Sequence, residues 1–351
     1  MTTKQPPKSR LLVLTSTYPR WKGDHEPPFV HELARRLTDR FEVTVLAPHA
    51  PGALRRERLD GVEVVRFRYA PERLERLAYD GGIPHKLRHR PWLAVLVPLF
   101  LLAQLLDTWL LLRRLGPAAI HAHWLLPQGL VALIARRLAG SRARLVVTAH
   151  GADLHGLRSL LSRWLKRRVL RNADAVTVVS QAMAEDACAL HDIGDRLQVI
   201  PMGVDLQDRF TPGPYRARSQ TLVFAGRLVE KKGVTYLLEA LRLLAPSHPD
   251  CRLLVAGAGP LEEALVRHAE QLGIVGRVEF LGRYDNITLP ATLRRGDIAV
   301  FPFVRAAGGD QEGLGLVLIE AMGCGIPVIA GDVPAVHDIV RDRETGCLVP
   351  P

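Results

Sequence analysis

Short apolar, strand-like runs recur along the whole chain with helical stretches between them, and this alternation limits the available folds more than any other feature. In the first half the runs are Leu11–Leu14, Glu42–Ala47, Val62–Phe67, Ala118–His123, Arg144–His150, Ala173–Ser180 and Leu197–Ile200. In the second half they begin at Leu222 and Leu253 and continue through Val278–Gly282, Ile298–Phe303 and Ile326–Ala330. Runs that are apolar throughout suit parallel strands covered on both faces, and strand–helix–strand repetition builds such sheets. The alternation predicts an α/β protein of two doubly wound, Rossmann-like domains facing each other across a cleft. Pro201-Met-Gly-Val-Asp205 and Phe210-Thr-Pro-Gly-Pro214 mark the crossing between them, giving domains 1–208 and 209–351. A length of 351 residues fits two domains of ordinary size. A basic loop carrying Arg55, Arg56 and Arg58 is expected between the second and third strands.

Charge divides the halves. Residues 1–208 hold 31 Lys and Arg against 20 Asp and Glu, a balance of +11, whereas residues 209–351 hold 16 of each. A nucleic-acid binder is not expected to be neutral in one domain and to lack recognition motifs in both, so nucleic acid is not an expected partner. The first domain is expected to meet something anionic. Four cysteines, Cys188, Cys251, Cys324 and Cys347, are widely spaced and read as reduced, mostly buried thiols. The polar start, Met1 to Arg10, has no apolar signal core, so a cytoplasmic chain is expected.

Two stretches of the first domain bear on that anionic partner. Trp92 to Ala103 is unbroken and apolar apart from Pro98; Gln104 and Asp107 interrupt it before apolar residues resume to Leu112. Lys86, Arg88 and Arg90 precede the run, and Arg113 and Arg114 follow it. The polar breaks and flanking strands argue against a spanning helix and leave two readings, a core helix or one seated on a membrane surface. Leu157 to Arg171 reads as a helix with Arg163, Lys166, Arg167 and Arg171 on one face beside Leu161, Trp164 and Leu165. That face is either plainly solvated or faces anionic lipid, peripherally on the inner side of the cell membrane.

Candidate site residues gather where strands end, the edge at which open α/β sheets bind ligands. The first strand runs into a long loop, Arg20-Trp-Lys-Gly-Asp-His-Glu-Pro-Pro28, containing Gly23 and Asp24. Two further strands finish in Ile120-His-Ala-His-Trp124 and Val147-Thr-Ala-His-Gly-Ala-Asp153, bringing His123, His150 and Asp153 to that edge. His121, His123 and His150 lack a companion at metal-ligand spacing, so no metal is expected there. In the second domain a strand ends in Ala225-Gly226-Arg227, and Lys232 follows at the start of the next helix. Two such cations can converge on one diphosphate.

The second domain's most informative stretch is Glu312-Gly-Leu-Gly-Leu-Val-Leu-Ile-Glu320, continuing as Ala321-Met-Gly-Cys-Gly-Ile-Pro-Val-Ile-Ala330. Glu320 is the sole charge in an otherwise apolar helix, where an unpaired carboxylate is costly unless it is solvated or serves a site. Glu312 stands just before the helix, and Gly313 and Gly315 let a ligand approach the backbone. The N–H groups at the helix mouth, Leu314 to Val317, and the helix dipole favour an anion there.

These motifs together resemble the retaining glycosyltransferases of family 4, which have the GT-B fold. The likeness covers nearly the whole chain: HAHWLLPQG, TAHGADLH, ADAVTVVS, VIPMGVD, FAGRLVEKKG, GAGP and EGLGLVLIEAMGCGIPVIAG. The resemblance implies transfer of a sugar from a UDP- or GDP-sugar donor with retention of anomeric configuration. It assigns the donor diphosphate to Arg227 and Lys232, beside Gly226, aided by the N–H groups of Leu314, Gly315, Leu316 and Val317. It assigns the ribose hydroxyls to Glu320, the reacting end of the sugar to Glu312, and sugar positioning to His150 from across the cleft. Gly23, Asp24, His123 and Asp153 fall on the acceptor side, although Lys22-Gly23-Asp24 departs from the paired glycines common in the family. No cofactor is required, and the absence of an Asp-x-Asp pair implies departure assisted by cations rather than by metal.

The expected acceptor is lipid-linked or membrane-proximal, in polysaccharide or glycolipid assembly. A soluble small-molecule acceptor and a non-catalytic nucleotide-sugar-binding protein are the competing readings. The family usually continues for several helices beyond the point where this chain reaches Pro350-Pro351, so the donor domain is expected to be incomplete at that end.

Overall fold

The computed structural model describes residues 8–24, 26–79, 82–156, 159–214 and 219–351, without the side chains of residues 84, 85, 88 and 89. The polar start through residue 7, the opening of the basic helix at Leu157 and the Arg88 side chain lie outside them. The chain divides into two compact units, Met1–Val179 with Ala184–Ile200, and Ser180–Met183 with Pro201–Pro351.

The first unit runs β1 (Ser9–Leu14), α1 (Phe29–Leu37), β2 (Phe41–Pro48), β3 (Arg56–Leu59), β4 (Val62–Phe67), α2 (Gly82–His89) and α3 (Leu96–Leu115). It continues with β5 (Ala119–His123), α4 (Leu130–Leu138), β6 (Arg144–Ala149), α5 (Ala152–His155), α6 (Leu160–Asn172), β7 (Ala175–Val178), α7 (Gln181–Leu190, whose first three residues count with the second unit) and β8 (Leu197–Val199). The strands form one eight-stranded sheet in the order β3-β4-β2-β1-β5-β6-β7-β8. Every pairing is parallel except β3 with β4. Leu11, Val13, Val43, Val45, Val62 and Val64 build part of the core on β1, β2 and β4. The chain leaves β1 toward β2 on one side and reaches β5 on the other. The loops after β1 and β5 therefore start at the switch point where such sheets hold ligands.

The basic loop expected at 55–58 is instead mostly strand. Leu59 pairs with Val62 across Asp60-Gly61, whose φ angles of 46° and 86° give the two-residue turn that suits a right-twisted hairpin. Arg56 and Arg58 point to solvent from this edge strand, where charge discourages further strand addition.

The apolar run at 92–112 does not resolve into either expectation alone. Leu93, Leu96, Phe100, Gln104, Thr108 and Leu111 face the core, and Phe100 meets Phe67 and Tyr69 at centroid distances of 4.9 and 5.1 Å. Up to Arg113 and Arg114 in the last turn, the large side chains exposed on the opposite side are all apolar: Trp92, Val95, Leu99, Leu102, Leu106 and Leu110. In α6, Arg163, Arg167 and Arg171 are exposed as expected, but Lys166 turns inward. It is 1% exposed and donates to the Leu154 carbonyl at 2.8 Å, a backbone acceptor for the buried ammonium.

The second unit holds β9 (Thr221–Ala225), α8 (Val234–Leu244), β10 (Arg252–Ala256), α9 (Glu262–Gln271) and β11 (Val278–Gly282). After these come α10 (Leu289–Leu293), β12 (Ile298–Phe301), α11 (Leu316–Gly323), β13 (Val328–Gly331) and β14 (Cys347–Val349). The parallel order is β11-β10-β9-β12-β13-β14. Ile326–Ala330 does not complete the sheet, because Cys347–Val349 adds an edge strand against β13. That strand is too short and exposed to show a buried pattern. Phe210, at the end of the inter-unit linker, is 2% exposed within this unit's core. Arg294 holds the neighbouring Thr211 carbonyl through Nε at 2.9 Å. The cysteines are free; Cys251 and Cys324 are buried, but Cys188 and Cys347 are exposed, so the expectation of mostly buried thiols fails for half of them.

Candidate active site

In the second unit the carboxyl edge of β9, the mouth of α8 and the mouth of α11 converge. β9 delivers Gly226 and Arg227, and Arg227 is exposed at that edge. A short helical turn, Glu230–Lys232, then brings two lysines onto the segment before α11. Lys231 Nζ lies 3.1 Å from Asp310 Oδ1 and 3.2 Å from the Gln311 carbonyl. Lys232 Nζ lies 2.7 Å from Glu312 Oε2 and 4.6 Å from the centre of the Phe303 ring. Its aliphatic end passes close to Gly226: Lys232 Cε is 3.8 Å from where a Cβ at Gly226 would stand. Lys232 and Glu312 are each 14% exposed, so the pair is largely desolvated without being sealed.

Gly315 sets the direction of α11. It precedes the first helical residue with φ 85°, a left-handed conformation costly for a residue with a side chain. A Cβ there would also press within 3.1 Å of Leu318 and 3.2 Å of Phe303. No side chain caps the helix, so its first-turn N–H groups, at Leu316 and Val317, are offered to a ligand. Such N–H groups and the helix dipole favour an anion.

Electrostatics separates the two glutamates. Burial favours the neutral form of Glu312, but the charges of Lys232 and Lys231 and hydrogen bonds from Lys232 and the Gly313 N–H outweigh it, and its pKa is lowered. Glu320, farther along α11, is pushed up to about 7, because burial outweighs the attraction of Arg209 and Lys232. Glu320 also acts on Tyr284, whose hydroxyl is raised first by burial and then by this carboxylate. Arg209 donates to the Asn286 carbonyl, and its guanidinium carbon stands 4.9 Å from the Phe210 ring centre. Arg209, Tyr284 and Lys231 were absent from the sequence candidates. The doubled lysine of Glu230-Lys-Lys232 was the available signal for Lys231; Arg209 and Tyr284 carry no comparable local motif.

In the first unit the ends of β5 and β6 form a histidine cluster. His123 Nδ1 and His150 Nε2 are 2.9 Å apart with rings stacked at 16°. His121 Nε2 meets Thr148 Oγ1 at 2.7 Å, and that hydroxyl continues to Thr177 Oγ1 at 2.6 Å. Burial depresses all three imidazoles, His121 to about 4, His150 to about 3 and His123 well below its ordinary value, so each is neutral near pH 7. Asp153 uses its carboxylate on the backbone, accepting from Leu125 N at 2.7 Å and His150 N at 3.1 Å. It thereby ties the His150 turn to the loop after β5. Among the described residues no cluster of three or more His, Cys, Asp or Glu could hold a metal ion.

The loop after β1 is built around arginines. Gly23 lies in its turn, and Asp24 accepts from Arg20 N at 2.8 Å, Nε at 2.8 Å and Nη2 at 2.7 Å. Beneath it Arg66, 1% exposed, donates through Nη2 to the Pro19 carbonyl at 2.9 Å, the Arg20 carbonyl at 3.0 Å and Glu57 at 2.5 Å. Sequence reading missed Arg66, because an arginine inside a β-strand carries no sign that it turns inward.

Both halves match known families. Residues 28–208 match the family described as Glycosyltransferase Family 4, and residues 212–351 match Glycosyl transferases group 1. A GDP-mannose-dependent alpha-(1-6)-phosphatidylinositol monomannoside mannosyltransferase of Mycolicibacterium smegmatis is 36% identical over 68% of this chain and 65% of its own length. The putative colanic acid biosynthesis glycosyltransferase WcaL of Escherichia coli is 31% identical over 64% of this chain and 56% of its own. The chain thus spans less than two thirds of these relatives. Among solved structures, sucrose-phosphate synthase from Thermosynechococcus elongatus aligns with a TM-score of 0.76 and 21% identity, covering 98% of this chain and 86% of that one. Anabaena Alr3699/HepE in complex with UDP and glucose aligns at 0.72 and 20% identity, covering 98% and 86%. At such identities the likeness shows the fold, two Rossmann-like α/β domains of GT-B type.

Proposed function

The chain belongs to glycosyltransferase family 4, and from that premise we propose that it moves a sugar from a nucleotide-sugar donor, UDP- or GDP-linked, to a lipid-linked or membrane-proximal acceptor. The reading places the protein in glycolipid or polysaccharide assembly, in the cytoplasm and peripherally on the inner face of the cell membrane. Two of its relatives carry names from those syntheses, one of them GDP-mannose-dependent.

The observation that carries the donor assignment is Lys232 held 2.7 Å from Glu312 beside the uncapped start of α11. Breaking the bond between sugar and diphosphate leaves negative charge on the phosphate oxygen. Lys232, Arg227 and the N–H groups from Leu314 to Val317 stabilise that charge, with no metal or cofactor required. Glu320 accepts from the ribose hydroxyls, Glu312 attends the reacting carbon, and the positioning of the sugar is assigned to His150. Configuration is retained: the departing phosphate takes the acceptor's proton as the acceptor oxygen bonds on the same face. Gly23, Asp24, His123 and Asp153 are assigned to the acceptor side.

Thermal-shift screening against UDP- and GDP-sugars, followed by turnover of whichever stabilises the protein, tests the reading. A donor that raises Tm in the wild type but not in Lys232→Ala supports the assignment. Stabilisation unchanged in Lys232→Ala defeats it, and turnover unchanged in Glu312→Ala favours a binding protein without catalysis.

A further inference from the structure

The helical element Pro91–Leu115 is long and apolar enough to cross a membrane, with a mean hydropathy of 2.1 over its most apolar window. It cannot do so while folded, because one side of it is part of the first unit's core through Phe100, Leu111 and Leu112. Its polarity is inverted relative to a helix on a water-soluble surface. The polar residues Gln104 and Thr108 are 0% exposed, and Asp107, on the flank toward Arg55 and Arg56, is half-buried. The outward stripe is Trp92 at 57%, Val95 at 67%, Leu99 at 47%, Leu102 at 52%, Leu106 at 50% and Leu110 at 52%. From Trp92 to Leu110, at the helical rise per residue, the ridge is about 27 Å long. A continuous apolar ridge of that size marks an interaction surface.

The surroundings of the ridge identify what covers it. Exposed Arg90 stands at one end and exposed Arg113 and Arg114 at the other. α4 packs against both α3 and α6. The three helices lie in crossovers that step the same way along the sheet, so the right-handed rule puts them on one face. α6 adds its own apolar and basic patch, with Leu160 84%, Leu161 67% and Trp164 58% exposed beside Arg163, Arg167 and Arg168. A second copy of the chain would bring like charges together at both ends of the ridge, and residues 1–208 carry the entire +11. Lipid phosphates would neutralise them while acyl chains cover the leucines.

We propose that α3 lies lengthwise in the headgroup boundary of an anionic bilayer, with its 92–110 stripe immersed and α6 resting beside it. This deepens the membrane-surface reading above and is independent of the donor-site assignment. The bilayer receives the side chains that water does not favour, while the inward face keeps the helix attached to the sheet.

The test is flotation of the full chain with phosphatidylglycerol-containing vesicles and with pure phosphatidylcholine, comparing the wild type with Leu102→Glu/Leu106→Glu. Both leucines are exposed, so the substitutions leave the core intact. The expected result is flotation of the wild type with anionic vesicles and at least about a tenfold drop in partitioning for the variant, since each leucine withdrawn from an apolar medium carries that order of effect. A wild type that stays with the soluble fraction, or a variant that floats equally well, overturns the proposal. So does a dimer in lipid-free buffer that the variant converts to monomer without vesicle binding, which would assign the ridge to a second copy. Nucleotide-sugar thermal shifts are run on both proteins. A preserved shift with failed flotation sinks only the lipid surface; flotation with no shift for any donor sinks only the donor reading.

Discussion

Lys232 Nζ stands 2.7 Å from Glu312 Oε2, so a carboxylate partners the cation assigned to the diphosphate. The two charges hold each other in place; without Glu312 the lysine loses its ion-pair partner, and without Lys232 the carboxylate keeps only the weaker support of Lys231 and the Gly313 N–H.

Lys232→Met is therefore expected to lower donor kcat/KM by about 10²–10³-fold, the usual size of one lost contact to developing charge. Glu312→Gln frees the lysine and should reduce kcat more than it weakens donor binding. The double variant should lose less than the product of the two single losses, because both singles break the same pair. Steady-state kinetics on the four proteins measures the coupling; strictly multiplicative losses would show that the pair does not act as a unit.

Glu320 carries a pH signature. Its folded pKa of about 7 lies above its ordinary 4.5. Between those values the folded state keeps a proton that the unfolded chain has released. Stability from this group is therefore fullest below pH 4.5 and is lost as pH rises through 7, by an amount on the order of 3 kcal/mol. Glu320→Gln should flatten that decline, so its Tm advantage over the wild type grows from pH 5 to pH 8. Donor affinity should move the opposite way in the wild type, tightening as the carboxylate ionises. Melting curves and donor titrations across that range check both slopes.

His150 is depressed to about 3 by burial, and its ring is shared with His123 at 2.9 Å. It is expected to act as a neutral hydrogen-bonding group throughout the working range. The pH–rate profile should show no inflection that His150→Gln removes between pH 5 and pH 9. His123→Leu should reduce kcat by leaving the His150 ring without its partner, and His123→Gln should restore part of the loss. The His150 imidazole titrating near pH 6, assigned by NMR against His150→Gln, would contradict this.

Arg66 is a support for the β1 loop. Arg66→Met breaks its buried pair with Glu57 and strands the Pro19 and Arg20 carbonyls. A loss of about 3 kcal/mol follows, on the order of 10 °C in Tm for a unit of this size. The donor-induced shift should survive in the variant, since the cluster proposed to bind the donor is in the other unit. Calorimetry with and without donor separates the two effects.

Much of this architecture was legible in the residues. Buried strands such as Leu11–Leu14 and Leu253–Ala256 announce themselves by unbroken apolar runs, and helix mouths by glycines such as Gly315. What escaped depends on direction rather than composition. Lys166 was expected on an outward basic face and Arg66 drew no expectation, yet each finds backbone carbonyls within reach inside. The strand Arg56–Leu59 was hidden by its arginines, although Asp60-Gly61 signalled the turn. Arg209 comes to act on Glu320 from the linker, across more than a hundred positions of sequence that no local motif spans.

Phe210 is enclosed by the second unit's core, and Arg294 grips Thr211 beside it. A protease or an engineer cutting at a convenient proline after that point would pull a stopper from the second unit. Separate expression of that half should start upstream, near Pro201, so that the plug travels with the vessel it closes.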